Sequence, residues 1–191
     1  MSVLRFITSL LLLLLAACST AGGHAISTGE RYVAPGGKVD NYTLGVGDKV
    51  RLIVYNEASL SGEFEVNSAG ALALPLIGDV AAQGKDIDSL SKSIHDKLAN
   101  GYLRDPRVSV EVLTYRPFFI LGEVQTPGQY PYVVGLTALN AVASAKGFTP
   151  RADKKAIFIR RSGSSEEELY RLTPDLRIWP GDTLRVGERL F

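Results

Sequence analysis

Tyr42-Thr43-Leu44-Gly45-Val46-Gly47-Asp48-Lys49-Val50-Arg51-Leu52-Ile53-Val54-Tyr55 is the stretch where ordered sequence begins. Its first half is a turn-rich lead. In its second half Val50, Leu52 and Val54 alternate with Lys49, Arg51 and Ile53, as a strand with one buried face requires. Short strands follow at Glu63 to Val66 and Ala71 to Leu74, and Gly62, Gly70, Pro75 and Gly78 punctuate them as tight turns do. From about Asp86 to Asn100 the period changes: Ile87, Leu90, Ile94 and Leu98 recur at three- and four-residue spacing on one helical face, and Gly101 stops the helix. Asp105-Pro106 breaks the chain again. Arg107-Val108-Ser109-Val110-Glu111-Val112 alternates with its valines on one side, a strand expected to return beside the first. Residues 42–114 therefore read as a small α/β unit.

A second unit, residues 115–191, opens at Arg116-Pro117. Phe118 to Leu121 is a short apolar strand, Gly122 to Gly128 a turn, and Gln129 to Val134 extended, with Pro131 pointing to a sheet edge. Thr137 is placed to cap a helix through Ala145, which Lys146-Gly147 ends. Strands at Ala156 to Arg161 and Glu168 to Leu172 flank a polar turn, and the chain closes through Ile178-Trp179-Pro180-Gly181-Asp182-Thr183-Leu184-Arg185-Val186. Two strands, a helix and further strands in so short a span suggest a β-grasp-like module, and the chain as a whole is α+β.

The phrase Gly-Asp before an alternating strand occurs twice, at Gly47-Asp48 and Gly181-Asp182. A shared turn explains it. Glycine supplies positive φ and aspartate accepts hydrogen bonds from nearby backbone amides. The surroundings differ, so the phrase does not mark an internal repeat.

The amino terminus has the three parts of a secretory signal: Arg5, an apolar run from Phe6 to Leu15, and the small pair Ala16-Ala17 before Cys18, the only cysteine. That run is well short of the ~20 apolar residues that span a bilayer. Leu15-Ala16-Ala17-Cys18 resembles the bacterial lipobox, whose cysteine thiol receives a diacylglycerol and becomes the first residue of the mature protein. Residues 1–17 are thus expected to be a signal peptide, Cys18 a lipidation site, and the Gly-, Ser- and Thr-rich residues 18–41 an acylated flexible tether. Removing the leader takes away one charged side chain, Arg5. The overall +1 then becomes an even balance, which does not favour nucleic-acid binding.

No enzyme constellation is visible. The two histidines are His24, in the tether, and His95, beside Ile94 on the first helix, and neither has a partner at metal-ligand spacing. Asp86 and Asp88 stand at a helix start, where negative charge suits the dipole. Glu166-Glu167-Glu168 faces Arg160-Arg161 across an expected hairpin, a solvated charge cluster that a subunit contact would also suit. Trp179 beside Pro180 reads as a packed turn aromatic before a sugar-stacking one. The terminal Phe191 is a chance aromatic, since the chain lacks the many alternating strands of a barrel. Catalytic, metal-binding and cofactor-binding residues are accordingly expected to be absent.

Taken in order, Tyr42 through Asp48, Gly70 through Pro75-Leu76-Ile77-Gly78, Asp105 through Val110, Leu121-Gly122-Glu123-Val124, Pro127-Gly128-Gln129-Tyr130, Thr137-Ala138-Leu139 with Ala145-Lys146-Gly147, and Pro180-Gly181-Asp182 resemble the polysaccharide export outer-membrane lipoproteins. That family joins an export domain to an SLBB (soluble ligand-binding β-grasp) domain. The resemblance implies a polysaccharide export domain over 42–114 and an SLBB domain over 115–191. It further implies a ring-shaped homo-oligomer carrying capsular or exopolysaccharide, with an inner-membrane polysaccharide co-polymerase as partner. A conduit for a hydrated polymer should avoid a deep specific pocket.

The best-known members continue into a C-terminal amphipathic helix that forms the pore. The sequence here stops at Phe191, so the resemblance implies a short member whose pore comes from a separate outer-membrane β-barrel. Ser19 is not the aspartate that typically retains lipoproteins at the inner membrane, so the lipid anchor is expected on the periplasmic face of the outer membrane. The competing readings are a monomeric glycan- or peptidoglycan-binding lipoprotein and an assembly lipoprotein that never touches polymer.

Overall fold

The computed structural model describes residues 42–189. The expected leader, Cys18, the tether with His24, and Phe191 lie outside the described residues.

Strand β1 (Lys49–Val54) carries the expected alternation: Val50, Leu52 and Val54 are buried and Lys49, Arg51 and Ile53 are exposed. It is the middle of an antiparallel sheet, between β2 (Gly62–Glu65) and the later strand β5 (Val108–Thr114). The return of β5 beside β1 places Val110 opposite Leu52 and Val108 opposite Val54, so the buried faces of both strands coincide. Strands β3 (Ala71–Leu74) and β4 (Gly78–Ala81) form a separate hairpin. The sequence gives no periodic sign of β4, because Val80 is its single buried side chain. Helix α1 (Ile87–Ala99) buries Leu90, Ile94 and Leu98 against these strands. Asp86 caps it, its Oδ1 accepting from the Ser89 amide at 2.8 Å, and Gly101 leaves it at φ 91°. Each fully buried leucine or isoleucine here contributes roughly 1.5–3 kcal/mol by removal from water.

The second sheet has the order β7-β6-β10-β8-β9. Its members are β6 (Phe118–Gly122), β7 (Gly128–Tyr130), β8 (Ala156–Arg160), β9 (Glu167–Arg171) and β10 (Thr183–Val186). Two hairpins, β6–β7 and β8–β9, flank a central strand that comes last in the chain, and β10 runs parallel to β6. That is the expected β-grasp arrangement. Pro131 follows the edge strand β7 directly, where a missing N–H costs no ladder bond.

Helix α2 (Ala138–Ser144) starts at Thr137, whose side chain accepts from the Asn140 amide. Ala138, Ala141 and Val142 on α2 join Phe118, Ile120, Ile157, Ile159, Tyr170, Leu184 and Val186 in one core. All of those strand residues point to the α2 side of the sheet. The opposite side bears Phe119, Leu121, Phe158, Arg160, Thr183 and Arg185, and no helix among the described residues covers it.

Candidate functional site

Two places combine charge, burial and shape: the joint between the two modules, and the uncovered face of the second sheet.

At the joint, the Gly-Asp turns behave alike. Gly47 and Gly181 sit at φ 88° and 83°, and the aspartates that follow them are fully buried. Asp48 Oδ2 accepts from the Gly45 amide at 2.7 Å and Asp182 Oδ2 from the Trp179 amide at 2.8 Å, in both cases three residues upstream. A second amide reaches the other oxygen, from Arg116 on Asp48 (2.8 Å) and from Ser162 on Asp182 (3.3 Å). Each carboxylate is also paired with an arginine, Arg116 on Asp48 at 3.0 Å and Arg161 on Asp182. The two turns are therefore the same device. The sequence offered the shared phrase but not the arginines, which arrive from distant positions.

The arginines differ in what they connect. Arg116 stands between the modules, and its Nη1 also donates to the Tyr42 hydroxyl at 2.9 Å while Tyr42 donates to Asp48 Oδ2. Burial and the Asp48 acceptor push the Tyr42 phenol well above its ordinary range. A Cβ on Gly45 would lie 2.1 Å from Arg116 Nη1, and one on Gly181 would lie 2.7 Å from Arg116 Nε. Glycine is needed at both because the guanidinium passes between the turns. Tyr115 continues the joint, packed edge-on against Tyr42 of the first module and Tyr132 of the second, with centroids 4.9 and 5.5 Å apart. Arg116 reads in sequence only as a boundary marker before Pro117; its bridging role is invisible there.

Asp182, by contrast, is held within its own module. Burial raises its carboxyl above the ordinary value, against the opposing pull of Arg161 and the donated amides.

On the uncovered face, register places Gln129, Phe119, Thr183, Arg160 and Glu167 in one row and Leu121, Arg185, Phe158 and Leu169 in the next. Arg185 lies over the Phe158 ring, 3.9 Å from its centroid, and bonds Glu167 through Nε at 3.0 Å. Phe119 and Leu121 remain 42% and 39% exposed. With Arg160, Arg161, Thr183, Gly181 and the turn Ser162 to Ser164 they line a shallow pocket of about 400 Å³. The sequence reads Phe118 to Leu121 as one apolar run. Period-two geometry sends every second residue of such a run to the far face, and that was the available signal.

The other residues singled out in sequence have ordinary surroundings. His95 is half exposed, with Nδ1 3.1 Å from Asp96 Oδ1 on the adjacent residue. Trp179 is partly buried and gives its backbone amide to Asp182. Arg160 does stand opposite Glu167 in the β8–β9 register, but the Glu167 carboxylate is taken by Arg185. Among the described residues no three His, Cys, Asp or Glu side chains gather as a metal site, and no helix is long and apolar enough to cross a membrane.

Comparison with known proteins assigns both modules. Residues 37–113 match the polysaccharide biosynthesis/export protein family and residues 116–177 match the SLBB domain. The exopolysaccharide production protein ExoF of Rhizobium meliloti (strain 1021) is 40% identical over 135 residues, which are 64% of this chain and 32% of ExoF. The polysialic acid transport protein KpsD of Escherichia coli is 24% identical over 159 residues, 78% of this chain and 28% of KpsD. The chain thus spans about a third of the length of these relatives. With an export module, an SLBB module and the joint between them all accounted for, the chain belongs to the polysaccharide export proteins that join a polysaccharide biosynthesis/export domain to an SLBB domain.

Proposed function

We propose that this chain is a lipid-anchored subunit of a ring-shaped conduit that carries capsular or exopolysaccharide through the periplasm to the outer membrane, and that it acts without catalysing a reaction. The observation that carries the reading is the pairing of the two modules in export order, fastened through Arg116 into a unit that can repeat around a ring. The relatives named for exopolysaccharide production and polysialic acid transport support the class of cargo. A ring needs two different, complementary patches on each copy.

In this reading residues 1–17 are a removed signal peptide, the Cys18 thiol carries the diacylglycerol, and residues 18–41 tether domains 42–114 and 115–191 to the periplasmic face of the outer membrane. An inner-membrane polysaccharide co-polymerase delivers the polymer. A separate outer-membrane β-barrel supplies the pore. The exported polysaccharide is the ligand, and nucleic acid has no part.

Deletion of the gene tests the function directly. Surface polysaccharide should fall while the synthetic machinery remains intact, and unchanged surface polymer overturns the reading. Electron microscopy of the detergent-solubilised protein should show closed rings, alone or with co-purifying co-polymerase or barrel. A monomer that binds oligosaccharide would favour the alternative, a glycan- or peptidoglycan-binding envelope lipoprotein. Cys18→Ala should leave both domains folded and release the protein from membranes on fractionation.

A further inference from the structure

The uncovered face of the second sheet holds a positive charge that no carboxylate among the described residues neutralises by direct pairing. Arg161 is paired with Asp182, and Arg185 with Glu167. Arg160, between them, makes no ion pair among the described residues; its Nη2 donates only to the Thr183 hydroxyl, at 3.2 Å. Glu167 lies across the strand and feels its field, yet both of its oxygens are occupied by Arg185. Arg160 is exposed and borders the 400 Å³ pocket whose other wall is the Phe119 ring and Leu121. The turn from Ser162 to Ser164 closes one end with exposed polar groups.

A guanidinium free of a carboxylate, an exposed aromatic ring and a hydroxyl-bearing turn around one shallow concavity match a particular chemistry. A pyranose ring presents an apolar C–H face that stacks on an aromatic ring, and its hydroxyls bond polar turns. A carboxylate on the same sugar would take two parallel hydrogen bonds from the guanidinium fork. We propose that this pocket is a subsite for a carboxylate-bearing sugar residue of the transported polymer, with Arg160 holding the carboxylate and Phe119 the ring face; the inference rests on the export reading and narrows its cargo to an acidic polysaccharide. The open shape and the single unpaired charge keep binding weak, on the order of millimolar, so that a polymer can pass from copy to copy without being trapped.

The test is saturation-transfer NMR on the full mature chain in detergent, with short oligogalacturonate as the probe and maltoheptaose as the neutral control. Oligogalacturonate should receive saturation and maltoheptaose at the same concentration should not. The signal should weaken as salt is raised. Arg160→Gln should weaken the apparent affinity about tenfold and Phe119→Ala by several-fold, with the unfolding midpoint unchanged because both side chains are exposed. Equal transfer to maltoheptaose, or full binding by Arg160→Gln, overturns the proposal. Phe119→Asp that dissolves an assembled ring, with no oligogalacturonate binding by the parent chain, would show this face to be a contact between copies instead. The two readings fail separately: lost binding beside lost surface polymer in a deletion strain removes only the subsite, whereas intact binding beside unchanged surface polymer removes the conduit.

Discussion

The turns at Gly47-Asp48 and Gly181-Asp182 share a conformation, a buried carboxylate, an amide donor three residues upstream and an arginine partner, yet they secure different things. Asp48 holds Arg116, a residue of the linker, and through it fastens one module to the next. Asp182 holds Arg161, at the end of β8, and fastens a hairpin to the turn that launches β10. One local solution serves both tasks because an aspartate behind a left-handed glycine presents its carboxylate inward, where it must be neutralised. What it secures depends only on where the arginine comes from.

The comparison can be broken most forcefully at Asp48. Asp48→Ala leaves the Arg116 guanidinium, itself mostly buried, without its counter-charge and removes two amide acceptors; a loss of about 3 kcal/mol or more is expected in urea unfolding. Hydrogen exchange should then report exposure at the joint, around Tyr42, Tyr115 and Tyr132. Asp182→Ala should cost slightly less, about 2–3 kcal/mol, since desolvation already opposes the charged form of that carboxyl. Its hydrogen-exchange signature should stay within the second sheet. If both variants loosen the same amides, the distinction between the turns is wrong.

Gly45→Ala sharpens the comparison without deleting a charge. The new methyl falls on the Arg116 guanidinium, and a cost of about 1–3 kcal/mol is expected from the displacement. A stability equal to wild type in thermal unfolding would mean that Arg116 is not held where the structure places it.

The smallest effect belongs to the exposed pair on the sheet face. Arg185→Gln should cost below about 1 kcal/mol, because a third of each partner's side chain meets solvent. Its pH dependence has a definite sign. The Arg185 hydrogen bond lowers the Glu167 carboxyl below its ordinary 4.5. The pair's contribution is therefore present above that value and is lost as pH falls through the lower folded one. Unfolding of wild type and Arg185→Gln should converge once the pH has fallen through the lowered Glu167 value, as followed by circular dichroism.

Much of the architecture could be read from residues 42–189 because its signals are periodic. Val50, Leu52 and Val54, the Ile87-to-Leu98 face, Asp86 and Thr137 as caps, and Pro131 at an edge each declare themselves through spacing or a backbone constraint. The β4 strand escaped because one buried valine makes no pattern. The joint escaped for a different reason. Asp48 and Arg116 are 68 residues apart, and nothing local in either segment encodes their meeting. The pocket was half legible: Phe119 was visible as apolar, but its outward direction follows only once Phe118 is known to face α2.

The position of β10 sets an order of events that no contact in the finished protein displays. Residues 183–186 supply the middle of a sheet whose outer hairpins come from residues 118–130 and 156–171. While the chain is still emerging from the ribosome, β6 and β8 have no common neighbour. Each has an open edge where β10 will lie, and unsatisfied edges recruit other strands. The first module, whose strands all lie before residue 115, can close earlier. The second must wait for its last strand, which makes it the slower module to fold and the one in greater need of protection during synthesis.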